Sequence, residues 1–524
     1  MRQHLKRLSY EREKLELIMP DLYQELINLA ESDMYPLHMP GHKRNEISTP
    51  MKGAFRCDIT EIDGFDNLHD ENGIILEAEE RANKLYGSEQ TYFLVNGSTG
   101  GVLSAVSATV SPRGTVLAAR GSHKSFYHAV YLRNLNVKYL PYKQIDGINI
   151  PDSFSAQDIE LNLDDSVEAV FITSPTYEGK CSDVRGIANV CHKRGIPLIV
   201  DAAHGAHFGF GKKNQKSSYD NKENSSDVQA ENFSVNPGIK ADYRSYNESS
   251  PEEYFSVPEN AITQGADIVI HSVHKTLPSM TQTALIHVSG NLVDKSRLKR
   301  FLRIYQTSSP SYVLMSSIDL AMKEIEENST QFIDKLLNYR NKIQRETAKC
   351  KLLKVIGKNV IDDPSKVLVS VQDSTMTGEQ LYDILREEYH LQLEMAGEKT
   401  ALAIITGWDT EDGIRRFINA LIEIDKRLSM TIESKVSNKV VILPKKKMNI
   451  CEAWDKEKEI VLFDEAENRI AAEFVNLYPP GIPIIAPGEV YTREIIESIK
   501  AYLDQGLNVQ GIERKKGFLC VRQK

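Results

Sequence analysis

The apolar positions of this chain follow two periods in alternation. Short apolar runs at residues 92–95, 116–119, 169–173, 197–200 and 267–270 are each closed by small or polar residues. Unbroken apolar runs of this length, bounded by turn formers, predict strands buried on both faces. Between them lie stretches with apolar residues at helical spacing: 74–86, 102–109 and 184–193. Strand and helix in alternation predict a mostly parallel sheet of the α/β class. Such sheets bind ligands beyond the carboxyl ends of their strands.

The flanks read differently. Residues 1–31 predict a helical arm, with Leu15, Ile18, Leu22, Leu26 and Leu29 on one face, followed by a loop holding His38, His42 and Lys43. Residues 58–73 predict an ordered loop. Residues 211–256 are rich in Lys, Ser, Asn and Glu and predict an inserted polar surface loop. From residue 291 the pattern is helical, with a long charged helix at 328–349. Strands at 366–371 and 401–406 with helices at 379–389 and 410–428 predict a smaller α+β domain. A basic connector at 431–448 leads to the proline-rich stretch 478–489, too rich in proline for a helix or a central strand. The division expected is 1–50 as an arm, 51–300 as a major domain, 301–430 as a small domain and 431–524 as a C-terminal domain.

Composition narrows the class without altering this picture. At 524 residues, 41% hydrophobic and 26% charged, the chain has apolar residues enough for several cores. A formal charge of −9 gives no basic surface for nucleic acid or anionic membrane. No apolar run reaches membrane-spanning length. Six cysteines without a CxxC pair, and an N-terminus without a secretory apolar core, lead to the expectation of reduced thiols in a cytoplasmic protein.

The chemistry sits where the strands stop. The run 267–270 leads into Ser272-Val-His-Lys275, and a lysine at a buried strand end is pushed toward the neutral amine that forms Schiff bases with carbonyls. The run 197–200 ends in Asp201. The run 92–95 ends in Asn96-Gly-Ser-Thr-Gly-Gly101, a small-residue turn opening a helix, which suits a phosphate. His123, in the loop after 116–119, offers a flat ring suited to stacking on a pyridine. A phosphate cradle, a strand-end carboxylate and a Schiff-base lysine, in that order, point to pyridoxal 5'-phosphate (PLP) and to no metal.

With these motifs stand Leu37-His-Met-Pro-Gly-His-Lys43, Ser122-His-Lys-Ser125, Ser174-Pro-Thr-Tyr-Glu-Gly179, Asp201-Ala-Ala-His-Gly-Ala-His207, Tyr478-Pro-Pro-Gly-Ile-Pro483 and Pro487-Gly-Glu489. Together they resemble the bacterial ornithine/lysine/arginine decarboxylases of PLP fold type I, the aspartate-aminotransferase fold. The compact length resembles the biosynthetic arginine decarboxylase branch rather than the larger inducible enzymes, which carry an N-terminal wing domain. The 211–256 segment departs from the pattern, where a shorter connection is expected.

The resemblance implies that Lys275 carries the cofactor, that Asp201 pairs with its pyridine nitrogen and that His123 stacks on its ring. It implies phosphate contacts from Ser98, Thr99 and Gly100 and from Ser272 and His274, with His204 near the ring oxygen. Thr176, Glu178 and Glu489 are implied at the substrate, the two glutamates at its distal cation, with Asp63 and Asp66 as the alternative acids. The implied activity is decarboxylation of a basic L-amino acid, arginine first, lysine or ornithine otherwise, by a homodimer or larger homo-oligomer. Another PLP reaction on the same fold, or an inactive regulatory relative, stays open.

Overall fold

The computed structural model describes residues 21–32, 40, 52–141, 143–145, 147–211, 254–430, 443–477, 482–504, 506–513 and 517–523. The loop with His38, His42 and Lys43, most of the 211–256 segment, the first part of the basic connector and Tyr478–Gly481 lie outside these residues.

The strands of the first half are β1 (Gln90–Leu94), β2 (Thr115–Ala119), β3 (Asn136–Leu140), β4 (Gln144–Ile145), β5 (Ile150–Pro151), β6 (Val167–Thr173), β7 (Leu198–Asp201), β8 (Ile268–His271) and β9 (Ala284–Val288). Seven of them form one sheet in the order β1-β9-β8-β7-β6-β2-β3. β9 pairs antiparallel on both sides, so the other six strands all point one way. Their carboxyl ends therefore share one edge. Thr173 is opposite Asp201 and Asp201 is opposite Ile270, which brings three predicted loops side by side.

Side chains alternate across the sheet. Leu117, Val170, Val200 and Val269 join one apolar layer with the helices Ile74–Tyr86, Val184–Lys193 and the first part of Tyr312–Thr347. Val116, Phe171, Ile199 and Ile270 join the other, with Gly97–Thr109, Lys124–Arg133 and Lys295–Tyr305. A Cβ on Gly101 would stand 2.7 Å from Leu94 Cδ1 and 3.1 Å from Ile270 Cγ2, so the helix beside the sheet needs a glycine there.

The helix Tyr312–Thr347 begins well before residue 328. Its inner face carries the polar Ser316 and Asp319, which mask the apolar period. Asp319 is buried because it accepts from Leu22 N (3.1 Å) and pairs with Arg81 (3.0 Å). That contact docks the helix Leu22–Glu31, where Leu22 and Leu26 are fully buried. The loop at 58–73 is ordered by Asp66, whose carboxylate accepts from the backbone of Asn72 and Gly73 and from Ile75 in the first turn of the next helix.

The helix Tyr312–Thr347 leads into a four-stranded antiparallel sheet that includes Lys366–Ser370 and Thr400–Ile404, covered by Gly378–Glu387 and Glu411–Asp425. The C-terminal region holds two three-stranded sheets and the helix Arg493–Asp504. Ile482–Ile485, within the proline-rich stretch, is an edge strand, the place in a sheet that tolerates proline. Among the described residues no helix is long and apolar enough to cross a membrane.

Candidate active site

Lys275 occupies the single helical turn Val273–Thr276 that follows β8. The turn is held by the antiparallel neighbour: Val273 N donates to Thr283 O (3.1 Å), and His274 Nδ1 to the same carbonyl (2.8 Å). Lys275 Nζ is thereby aimed across the strand ends at His204 Nε2, 2.8 Å away. His204 lies three residues beyond Asp201 and is 5% exposed. Burial, and then the Lys275 charge, hold its imidazole well below the usual histidine range. Burial also lowers the Lys275 pKa, opposed by Asp201. The pair is therefore best described as a lysine amine donating to a neutral histidine.

Asp201 is 4% exposed, and its Oδ1 accepts from Ala203 N (3.2 Å). Burial raises its pKa, opposed by Lys275. His123 caps the helix Lys124–Arg133, its Nδ1 2.9 Å from Ser125 Oγ. Burial and the Lys275 charge push His123 down to about 4, so it is neutral near pH 7.

These groups wall one cavity of about 320 Å3. Ser98 and Thr99 enter it from the first turn of Gly97–Thr109, where backbone N–H groups lack intrahelical acceptors. Ser272 and His274 enter beside them. Gly100 is buried behind this wall and does not line the cavity. Thr176 and Glu178 face it from the loop after β6. Glu178 is 5% exposed, its Oε2 has no hydrogen-bond partner among the described residues, and burial pushes its carboxyl up to about 7.

The loop carrying Glu178 is clamped by the segment that leads into the strand Lys366–Ser370. Gly179 has φ +100°, and its carbonyl accepts from both Asp362 N and Asp363 N (3.0 Å each). Asp363 is fully buried between His207 Nε2 (3.0 Å) and Lys366 Nζ (3.1 Å), a polar bridge joining the loop after β7 to the four-stranded sheet.

Glu489 is not on the cavity wall. Its Oε2 accepts from Arg120 Nη2 at 2.8 Å and from Ala486 N at 2.7 Å. Asp66 is committed to capping backbone, as described above, and neither it nor Asp63 lines the cavity. The wall includes residues the sequence patterns did not single out: Lys143, Pro151, Asp152 and Phe154 around the β4–β5 hairpin, with Gln282. Strands of two residues leave no periodic signal, and Asp152 stands in no motif.

The cavity suits a phosphorylated pyridine aldehyde. Ser272 Oγ and His204 Nδ1 are buried without hydrogen-bond partners among the described residues, and both belong to residues of its wall. A helix start supplies N–H donors, and a carboxylate, a lysine amine and a neutral imidazole line the same wall. Among the described residues no group of three or more His, Cys, Asp or Glu side chains could hold a metal ion.

Comparison with known proteins gives the chain its family. The model of the Orn/Lys/Arg decarboxylase major domain matches residues 20–233 and 248–398, and that of the Orn/Lys/Arg decarboxylase C-terminal domain matches 431–515. A protein named arginine decarboxylase from Bacillus subtilis is 28% identical over 510 residues, covering 94% of this chain and 95% of the relative. The uncharacterized protein YaaO of the same species is 30% identical, with 94% and 95% covered. Among solved structures, the Francisella novicida lysine decarboxylase LdcF superposes with a TM-score of 0.74 at 20% identity, covering 97% of this chain and 82% of that one. The E. coli constitutive lysine decarboxylase gives 0.72 at 17%, with 99% and 84% covered. The first of the two domain models alone spans most of the chain, and the loops it covers carry Lys275, Asp201 and His123: this protein belongs to the Orn/Lys/Arg decarboxylase family.

Proposed function

We propose that the cavity binds PLP and that the protein decarboxylates a basic L-amino acid, L-arginine before L-lysine or L-ornithine. The observation that carries this reading is the Lys275–His204 contact of 2.8 Å facing the buried Asp201. The names of relatives from Bacillus subtilis, Bacillus anthracis and Bacillus cereus support arginine as the substrate.

Lys275 is the residue to carry the cofactor, because burial favours its free amine. Ser98, Thr99, Ser272 and His274 would hold the phosphate, and Asp201 the pyridine nitrogen. His123, neutral and flat, would cover the ring. When bound, PLP supplies a sink for the electron pair left on Cα as CO2 departs. The chain must then return one proton to Cα. Lys275, once freed and in its ammonium form, is the donor we assign; it becomes the neutral amine as Cα gains the proton, with His204 Nε2 within hydrogen-bond reach to accept from it.

The substrate's distal cation needs a carboxylate on the same wall, and a guanidinium is best met by paired oxygens. Glu178 fits, with one buried oxygen lacking a partner. Asp152 offers a second acid on that wall. Thr176 would help fix the loop around the substrate: its hydroxyl accepts from Lys180 N at 3.1 Å.

A homodimer or larger homo-oligomer in the cytoplasm follows from the family resemblance, and light scattering tests the assembly. The test of function is release of CO2 from carboxyl-labelled L-arginine, L-lysine and L-ornithine, side by side. Release from arginine above the other two is expected; transamination without CO2, or no turnover of any of the three, overturns the reading.

A further inference from the structure

The loop that carries His123 is tied to the C-terminal domain. Arg120 follows β2 directly, three residues before His123. Its guanidinium is 3% exposed and lies 4.8 Å from the Tyr139 ring centroid and 5.8 Å from that of Tyr127. Its carbonyl accepts from Tyr127 Oη at 2.6 Å, and Ser122 Oγ donates to Ala119 O at 2.6 Å, so both ends of the turn are pinned.

The charge partner of Arg120 comes from 369 residues away. Glu489, also 3% exposed, is itself fixed by Ala486 N. The preceding Gly488 has φ +90°, and a Cβ there would stand 2.4 Å from Met448 O. Burial raises the Glu489 pKa and Arg120 opposes that shift. A buried ion pair adds little stability over apolar packing of equal volume, but it fixes a geometry.

We propose that Glu489 and Arg120 are a positioning pair, through which the C-terminal domain sets the loop 120–123 and with it the His123 ring against the cofactor. The pair acts through His123 and touches neither substrate nor cofactor. This inference rests on the PLP reading of the cavity.

The test is a double-mutant cycle on the holoenzyme: wild type, Glu489→Gln, His123→Ala and the two combined. Each is read by the PLP dissociation constant, the visible circular dichroism of the bound cofactor, and kcat and KM separately. Glu489→Gln is expected to weaken PLP binding and lower kcat about tenfold, and to alter the dichroism. In the His123→Ala background it should add less than about a twofold change. If Glu489→Gln does not fold, Arg120→Gln combined with Glu489→Gln replaces it, because no buried charge is then left alone. Losses that multiply independently in the combined variant overturn the proposal, as does wild-type dichroism and PLP affinity in the charge-removed protein. A rise in KM with kcat unchanged would give Glu489 to the substrate instead and overturns it too. A wild type that takes up no PLP overturns the underlying reading, and this proposal with it.

Discussion

Lys275 Nζ stands 2.8 Å from His204 Nε2, with the carboxylate of Asp201 on the wall of the same cavity. Burial disfavours charge on both nitrogens. Burial moves the lysine toward its nucleophilic amine form and keeps the histidine an acceptor. The two residues come from the ends of neighbouring parallel strands, so the sheet itself fixes the contact.

Asp201→Asn should retain PLP and lose kcat by roughly 100-fold or more, because an amide cannot stabilise a protonated ring nitrogen by charge. Bound PLP is read by absorbance and turnover by CO2 release. Wild-type kcat in the amide variant would leave Asp201 a purely structural role.

Glu178→Gln should raise KM for L-arginine by roughly 100-fold or more, with cofactor absorbance unchanged. The basis is the cost of about 3–5 kcal/mol for removing one partner of a buried charge pair. An unchanged KM would move the recognition of the distal cation to Asp152, the acid on the wall beside the hairpin.

Gly179→Ala should destabilise the protein by about 1–3 kcal/mol, since a side chain at φ +100° is strained and the new Cβ would stand 2.7 Å from Lys366 Cγ and 3.0 Å from Asp363 Cβ. The same change should displace Glu178, one residue earlier, so KM should rise with the loss of stability. Chemical denaturation and steady-state kinetics read the two effects. An alanine variant with wild-type values of both would mean that this loop yields freely.

The pH dependence of the cofactor-free protein follows from its buried histidines. His123 at about 4, His271 at about 3, and His204 and His287 well below the usual range all resist protonation when folded, chiefly through burial. From about pH 6.5 down to 4 the unfolded chain binds protons that the folded protein refuses, so these groups lower stability as pH falls. Glu178, raised to about 7 by burial, works in the opposite sense over about pH 4.5–7. His123→Asn removes one of the histidine contributions and should flatten the acid slope by at most about 1.4 kcal/mol per pH unit. An unaltered slope in that variant would mean that His123 is protonated in the folded protein.

The strand–helix alternation, and the polar residues at the strand ends that line the cavity, were legible in the sequence because both are local. A run such as residues 197–200 stopping at Asp201 declares its burial and its end within a few residues. The helix 184–193 matches its expected span because four apolar residues, Val184, Ile187, Ala188 and Cys191, fall on one face. Partners far apart in the chain could not be read this way. Glu489 carried a rigid motif that placed it at the substrate, but its partner is Arg120, 369 residues away. Lys366 opens an apolar strand and resembles a surface lysine in sequence, yet it is fully buried against Asp363. Asp152 joined the cavity through a hairpin too short to leave a pattern.

Reduction of the PLP-loaded protein with borohydride, followed by proteolysis and peptide mapping, tests the central claim most directly, because it fixes the cofactor to the lysine that carries it. The account predicts the label on the peptide containing Lys275, and neither label nor turnover in Lys275→Ala. A label on another lysine, or a Lys275→Ala protein that still takes the label and releases CO2 from L-arginine, would contradict it.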